Sequence, residues 1–486
     1  MSSEARLPRV VIAAPQGRSG KTTVSIGISA ALTTRGLAVQ PFKKGPDYID
    51  PSWLSEACGR FCRSLDPFFY SEGNVPSSIK LQKAFIYGAR GSDLSLIEGN
   101  HGLFDSSLDD EGAFSTAAVA RSVRAPILLV VNTARMTRSI AAMVHGYQTF
   151  EPGTDIVGVV LNNVANKRHE TRLRDAVERF CKIPVLGALP RSDSLIIPDR
   201  HLGLVPRGEV QGSVLVIENC RKAAEDYLDL DAILEIACSA ENLPEYDEEE
   251  PSETAQVEVP VTIGVIRDQS FSFYYPENFE ALEAAGARLI FLDALQEPHL
   301  PQIDALYIGG GFPEIFMEQL ENNSSLRGEI RTAVEDGLPV YAECGGLMYL
   351  ARSIQWKGRI AEMVGVFPFD VEMTERPQGH GYVLAEVSDP NQVSSSNNAE
   401  LDGLFLPPQA VIRGHEFHHS RLVNWDGQIP AEYQLLRGSG LGKGRDGLRY
   451  KNVLASYTHL HAGGSPGWAP ALVNRARIYQ GRNRGG

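Results

Sequence analysis

The chain has 486 residues, too many for one ordinary hydrophobic core, so two domains of roughly 200 residues each are expected. With 43% hydrophobic and 22% charged residues it has soluble globular composition, and no apolar run approaches the roughly 20 residues that a bilayer crossing needs. A formal net charge of -14 speaks against a nucleic-acid partner, because binding a phosphate backbone requires a basic face.

Taken in chain order, the first signal is VVIAA at 10, a β-branched run with no apolar leader and cleavage site before it, which makes the cytoplasm the expected compartment. LSLIEG at 94, APILLVVN at 125 and DIVGVVLN at 155 alternate with helical patterns such as 21–35 and 169–181, the grammar of a βαβ fold. Basic islands at Lys43 and Lys44, Arg60 and Arg63, Arg121 and Arg124, and Lys167 and Arg168 suit either a small polyanion or solvated surface. Residues 241–258, ENLPEYDEEEPSETAQVE, read as an acidic linker, which places one domain at 1–240. The same grammar restarts with VTIGVI at 261, ARLIFL at 287, DALYIGGG at 304 and LPVYAECGG at 338, so 259–470 forms a second α/β domain and the polar, glycine-rich 471–486 a mobile tail. Six cysteines form no CxxC pair, and Cys58 and Cys62, four apart with no second pair, read as buried filler rather than half a metal site.

In open parallel sheets the chemistry lies just beyond the carboxyl ends of the strands. After the first strand comes PQGRSGKTT and then a helical pattern, the context of a phosphate-binding loop. Gly17, Gly20, Lys21, Thr22 and Thr23 are its members: backbone amides cradle phosphates, Lys21 reaches the terminal ones and the Thr22 hydroxyl holds magnesium. Pro15 stands where the usual motif has its first glycine. Asp47 and Glu98, at predicted strand ends, are the candidate acidic partners of the metal.

In the second domain Cys344 lies between an apolar strand and a predicted helix, flanked by Gly345 and Gly346, as in a nucleophile elbow. Amides at that helix start are expected to lower the thiol's pKa. The run GGGFPE brings further amides, so Gly310, Gly311 and Gly345 are the candidate oxyanion hole. His459 is the candidate base, with His461, His415, His418 and His419 behind it.

Nine segments carry a resemblance: VQPFKKGPDYIDPSWL at 39, CRSLDPF at 62, EGNHGLFD at 98, PDRHLGLVP at 198, FSFYYPEN at 271, GGGFPE at 309, YAECGG at 341, RGHEFHHS at 413 and SYTHLH at 456. In this order they resemble the cobyrinic acid a,c-diamide synthase family over nearly the entire chain. The resemblance implies a P-loop NTPase domain similar to dethiobiotin synthetase, followed by a class I, flavodoxin-like glutamine amidotransferase domain. It implies ATP and Mg2+ as cofactors, and glutamine and a polycarboxylate tetrapyrrole as substrates, with side-chain carboxylates a and c amidated through acyl phosphates. A homodimer is compatible with it. It further implies that Lys43 faces the transferring phosphoryl group or the substrate carboxylate, that Asn162 contacts adenine, and that Cys344 and His459 form a dyad. His461 occupies the place two after the histidine where the wider class has Glu. FDSS at 104 replaces the family's more usual YDG, and KKGP at 43 and QGHGY at 378 are closer to relatives that act on siroheme or nickel-sirohydrochlorin. A partition-type ATPase switch, which shares GKTT after a strand, would carry a lysine at Gln16 and would need no cysteine site. An inactive amidotransferase scaffold is the third reading, opposed by the presence of both Cys344 and His459.

Overall fold

The computed structural model describes residues 4–108, 111–197, 199–200, 203–204, 213–246, 260–388 and 405–484. The chain divides into two compact units, Met1–Glu250 and Pro251–Gly486.

The first unit is built on seven parallel strands: β1 (Arg9–Ala13), β2 (Val39–Lys43), β3 (Arg63–Ser64), β4 (Leu94–Glu98), β5 (Ile127–Asn132), β6 (Ile156–Val164) and β7 (Val185–Pro190). Their order is β7-β6-β5-β1-β4-β2-β3. Every residue of β1, β2 and β4 is buried, as expected of strands covered by helices on both faces. Helix α1 (Lys21–Thr34) is buried along most of its length because the helix at Ser213–Tyr227 packs on it. A Cβ at Gly27 would lie 2.7 Å from the Cys220 carbonyl, so only glycine permits that approach. Register is what assembles the site: Glu98 stands opposite Lys43 of β2 on one side and Ile12 of β1 on the other. Three neighbouring strand ends therefore bring the phosphate loop, Glu98 and Lys43 to one place.

The second unit carries a ten-stranded sheet. Its parallel part contains β8 (Val261–Ile266), β9 (Ala287–Leu292), β10 (Ala305–Ile308) and β11 (Val340–Glu343). Its antiparallel part contains β12 (Gly379–Val387), β13 (Val411–His418), β14 (Ala431–Arg437) and β15 (Arg445–Tyr450), then β16 (Val453–Ser456) and β17 (His459–Leu460). The order is β9-β8-β10-β11-β16-β15-β14-β12-β13-β17, so β16, parallel to β11, is the hinge between the parallel and antiparallel parts. A separate four-stranded sheet is formed by Ser353–Trp356, Arg359–Glu362, Asp370–Met373 and Ser420–Val423.

Two boundaries differ from the sequence expectation. The tail at 471–486 is not loose: α2 (Trp468–Arg484) runs through it, and Trp468, Leu472, Val473 and Ala476 are buried against the sheet. Its apolar stripe begins before 471, so the polar end alone conceals it. The expected linker begins later than 241, because Leu243–Pro244 pairs with Glu4–Ala5 and Leu243 is fully buried. Positions 247–258 of that linker, most of PDRHLGLVP at 198, and 485–486 lie outside the described residues. No helix among the described residues is long and apolar enough to cross a membrane.

Candidate active site

The loop between β1 and α1 turns on Gly20, whose φ of 95° suits glycine. A Cβ there would meet Asn162 Nδ2 at 2.0 Å. Asn162 donates to the Ser19 carbonyl at 3.0 Å and accepts from the Asn163 amide at 2.9 Å, so it anchors the loop from the end of β6. No side chain caps α1, which leaves its first amides for a ligand. Lys21 donates to the His101 carbonyl at 2.6 Å, and His101 takes a φ of 49° there. Burial and the nearby Lys43 ammonium lower the Lys21 pKa to about 8, against the pull of Glu98, Asp50 and Asp105. The Thr22 hydroxyl donates to Glu98 Oε1 at 2.9 Å, and Thr23 makes a long 3.5 Å bond to the Leu195 carbonyl. A Cβ at Gly17 would meet nothing within 4 Å, so that glycine lies in the open part of the loop.

Lys43 lies 2% exposed among three carboxylates: 2.5 Å from Asp50, 2.7 Å from Glu98 and 3.9 Å from Asp47. Burial disfavours its charge, yet Asp50, Glu98 and Asp47 outweigh that and hold its pKa well above the usual lysine value. Burial and the Asp50 carboxylate push Asp47 up to about 7, and burial also raises Glu98 in spite of Lys43. The Lys43 and Lys21 ammoniums share this cluster with the Asp47, Asp50 and Glu98 carboxylates.

In the second unit Cys344 follows β11 with φ 48° and ψ -99°, a backbone cost of about 1–3 kcal/mol that a nucleophile elbow stores. The turn into α3 (Gly345–Leu350) is held by the Cys344 amide on the Ser456 carbonyl at 2.7 Å. It also requires Gly346, where a Cβ would lie 2.4 Å from the Ile308 carbonyl. A Cβ at Gly345 would lie 3.0 Å from the Gly311 amide nitrogen, and one at Gly310 would lie 2.3 Å from His459 Cε1. The 309–314 loop is therefore wedged between the elbow and the histidine. His459 is buried, in register with His415 of β13 and stacked on its ring at 4.9 Å. Burial, then the neighbouring His459, His461 and His380, hold His415 neutral.

Comparison with known proteins fits both units. Residues 10–205 match the model of a CobQ/CobB/MinD/ParA nucleotide binding domain, and residues 262–467 that of a CobB/CobQ-like glutamine amidotransferase domain. The cobyrinate a,c-diamide synthase of Magnetococcus marinus is 45% identical over 96% of this chain and 97% of its own. Those of Archaeoglobus fulgidus and Methanothermobacter thermautotrophicus are each 41% identical, over 94% and 96% of this chain and 94% and 99% of theirs. The chain belongs to the cobyrinate a,c-diamide synthase family. It joins a nucleotide-binding domain to a glutamine amidotransferase domain, the composition of a glutamine-hydrolysing carbon–nitrogen ligase.

In this family member several site features depart from the sequence reading. The thiol is not lowered: burial, then the Glu314 carboxylate, push the Cys344 pKa well above the usual cysteine value, and the Gly345 amide only partly offsets them. A six-residue helix start is too weak to reverse that burial. Asn162 ties the loop down with one N–H and its carbonyl oxygen. The basic islands are mostly structural: Arg60 binds the carbonyls of Arg90 and Gly91, and Arg121 pairs with Glu151. Cys58 is buried filler, its thiol raised to about 12 by burial. Sequence reasoning missed Asp50, which sits three residues after Asp47 and so one turn along the helix start at Ile49–Cys58, and it missed Glu314 and Glu343 beside the nucleophile.

Proposed function

We propose that this enzyme amidates the a and c side-chain carboxylates of cobyrinate, with two glutamines and two ATP, through acyl phosphates. The proposal is carried by two sites, one in each unit: Lys43 clasped by Asp50 and Glu98 beside the phosphate loop, and Cys344 on its elbow, with Gly345 against Gly311 and Gly310 against His459. The names of the relatives supply the substrate.

In the first unit the amides of α1 and Lys21 hold the ATP phosphates, and Lys43 faces the γ-phosphoryl group. A substrate carboxylate oxygen attacks that phosphorus, ADP leaves, and the resulting acyl phosphate is electrophilic at carbon. Ammonia then adds to the carbonyl, phosphate departs and the amide remains. Positioning and neutralisation of phosphoryl charge supply most of the rate.

The residues fit a magnesium ion. Glu98 Oε2 is buried and has no hydrogen-bond partner among the described residues, and the Thr22 hydroxyl sits on the other oxygen of that carboxylate. Thr22, Asp47 and Glu98 would hold it. No three His, Cys, Asp or Glu side chains among the described residues form a metal cage, so water and phosphate oxygens would have to complete the coordination. When bound it draws charge from the phosphate oxygens.

In the second unit the neutral Cys344 thiol passes its proton to His459 as sulfur attacks the glutamine amide carbon. The oxyanion faces the amides of Gly311 and Gly345, with Gly310 holding the loop against His459. His459 returns the proton to the departing ammonia, and water hydrolyses the thioester to glutamate. A raised thiol pKa fits this order, since the thiolate forms only alongside a base.

The test offers cobyrinate, sirohydrochlorin, its nickel complex and siroheme separately with ATP, magnesium and glutamine, and follows product masses. Two successive amidations of cobyrinate are expected; preference for a sirohydrochlorin derivative would overturn the substrate and keep the chemistry.

A further inference from the structure

The place two residues after His459, where a glutamate would orient the ring, is taken by His461. Another carboxylate stands beside that ring. Glu343 is the last residue of β11, directly before the nucleophile, and is fully buried. Its Oε1 accepts from the Tyr341 hydroxyl at 2.8 Å and from the Leu460 amide at 2.9 Å, and its Oε2 from the Tyr307 hydroxyl at 3.3 Å. Donors from three separate positions therefore fix both of its oxygens. Oε2 lies 3.8 Å from His459 Nδ1.

We propose that Glu343 is the positioning carboxylate of the amidotransferase site, holding His459 both through the Leu460 amide and through the ring, so that the other ring nitrogen is presented to Cys344. The proposal rests on the reading of Cys344 and His459 given above. The carboxylate and the nucleophile are adjacent on the chain, so one strand, β11, fixes both. At 3.8 Å the resting pair is longer than a hydrogen bond, and it becomes a charge pair when the imidazole takes the thiol proton. The competing pair, His461 Nε2 with Glu277 Oε2 at 3.7 Å, is turned away from this work, because His461 Nδ1 accepts the Gly463 amide and its ring meets the Tyr275 edge. Among the described residues, the titratable groups that meet His459 include Glu343 on β11 and His415 on β13.

The test measures glutamate release by Glu343→Gln and Glu277→Gln, with ammonium-supported amidation measured on the same preparations. For Glu343→Gln, kcat is expected to fall at least roughly tenfold with KM for glutamine nearly unchanged, as for a lost positioning group. The acid limb of its pH profile moves to lower pH, because the imidazolium has lost its counter-charge. Ammonium-supported amidation and Glu277→Gln stay at the parental level. Parental kcat with an unmoved acid limb in Glu343→Gln overturns the proposal, as does loss of ammonium-supported activity alongside glutaminase, which marks a role in the fold. If Glu343→Gln does not accumulate as folded protein, Glu343→Asp is made: it keeps the charge at shorter reach, and is expected to lower kcat with the acid limb in place, whereas parental kcat overturns the proposal. Full glutaminase in Cys344→Ala would instead sink the underlying site reading, a result distinct from any of these.

Discussion

Replacing Lys43 with methionine tests the charge balance of the first site most severely. The side chain is buried, and its ammonium is shared by Asp50 at 2.5 Å and Glu98 at 2.7 Å, with Asp47 at 3.9 Å. Removing one partner of a buried pair leaves an uncompensated charge and costs about 3–5 kcal/mol. The sign with pH follows from the shifts. The raised Lys43 pKa means that its stabilisation is fully present below the ordinary lysine pKa and is lost only as pH rises through the higher folded value, so at pH 8 the parent has all of it. Asp50 is held below its ordinary value by Lys43, despite burial, and contributes stability above the ordinary carboxylate pKa. Without Lys43 the carboxylates bind protons more readily, so the deficit of Lys43→Met is largest near pH 8 and shrinks towards pH 5. Hydrogen exchange of peptides from Met1–Glu250 under native conditions isolates this unit from the other. A deficit of about 3 kcal/mol or more at pH 8, smaller at pH 5 and partly restored by magnesium, is expected. A deficit under about 1 kcal/mol that ignores pH would refute the reasoning.

Three further outcomes are expected. Cys344→Ala loses glutamine-driven amidation and retains ammonium-driven amidation at full rate; failure of ammonium to rescue would give Cys344 a second role. With Lys21 lowered to about 8, ATP binding above that pH takes up a proton, so its affinity weakens as pH rises and its calorimetric heat depends on the buffer's ionisation enthalpy; both effects should vanish in Lys21→Arg. Gly310→Ala places a Cβ 2.3 Å from His459 Cε1, and displacing that ring is expected to lower glutaminase kcat by roughly 10²-fold while ammonium-driven activity persists.

What the sequence disclosed and what it hid have separate physical reasons. Runs such as VVIAA and VTIGVI are legible because strands covered on both faces must be apolar throughout, and Cys344 is legible because Gly345 and Gly346 would serve poorly in a core strand. β2 is harder to see, since VQPFK contains a proline; Pro41 is tolerated because its neighbour β3 pairs only with Phe42 and Lys43. Acids such as Glu343 and Asp50 look like surface residues in one dimension. Their roles come from partners far along the chain, Leu460 for the first, and Glu98 through Lys43 for the second. The antiparallel extension from β12 to β15 likewise depends on pairings that no local period announces.

The most direct test of the central claim follows oxygen rather than nitrogen. Cobyrinate carrying 18O in its a and c carboxylates is turned over with ATP, magnesium and glutamine, and the released inorganic phosphate is analysed by mass. Activation through acyl phosphates predicts one labelled oxygen transferred to phosphate for each amide formed. Amide formation with unlabelled phosphate would contradict it.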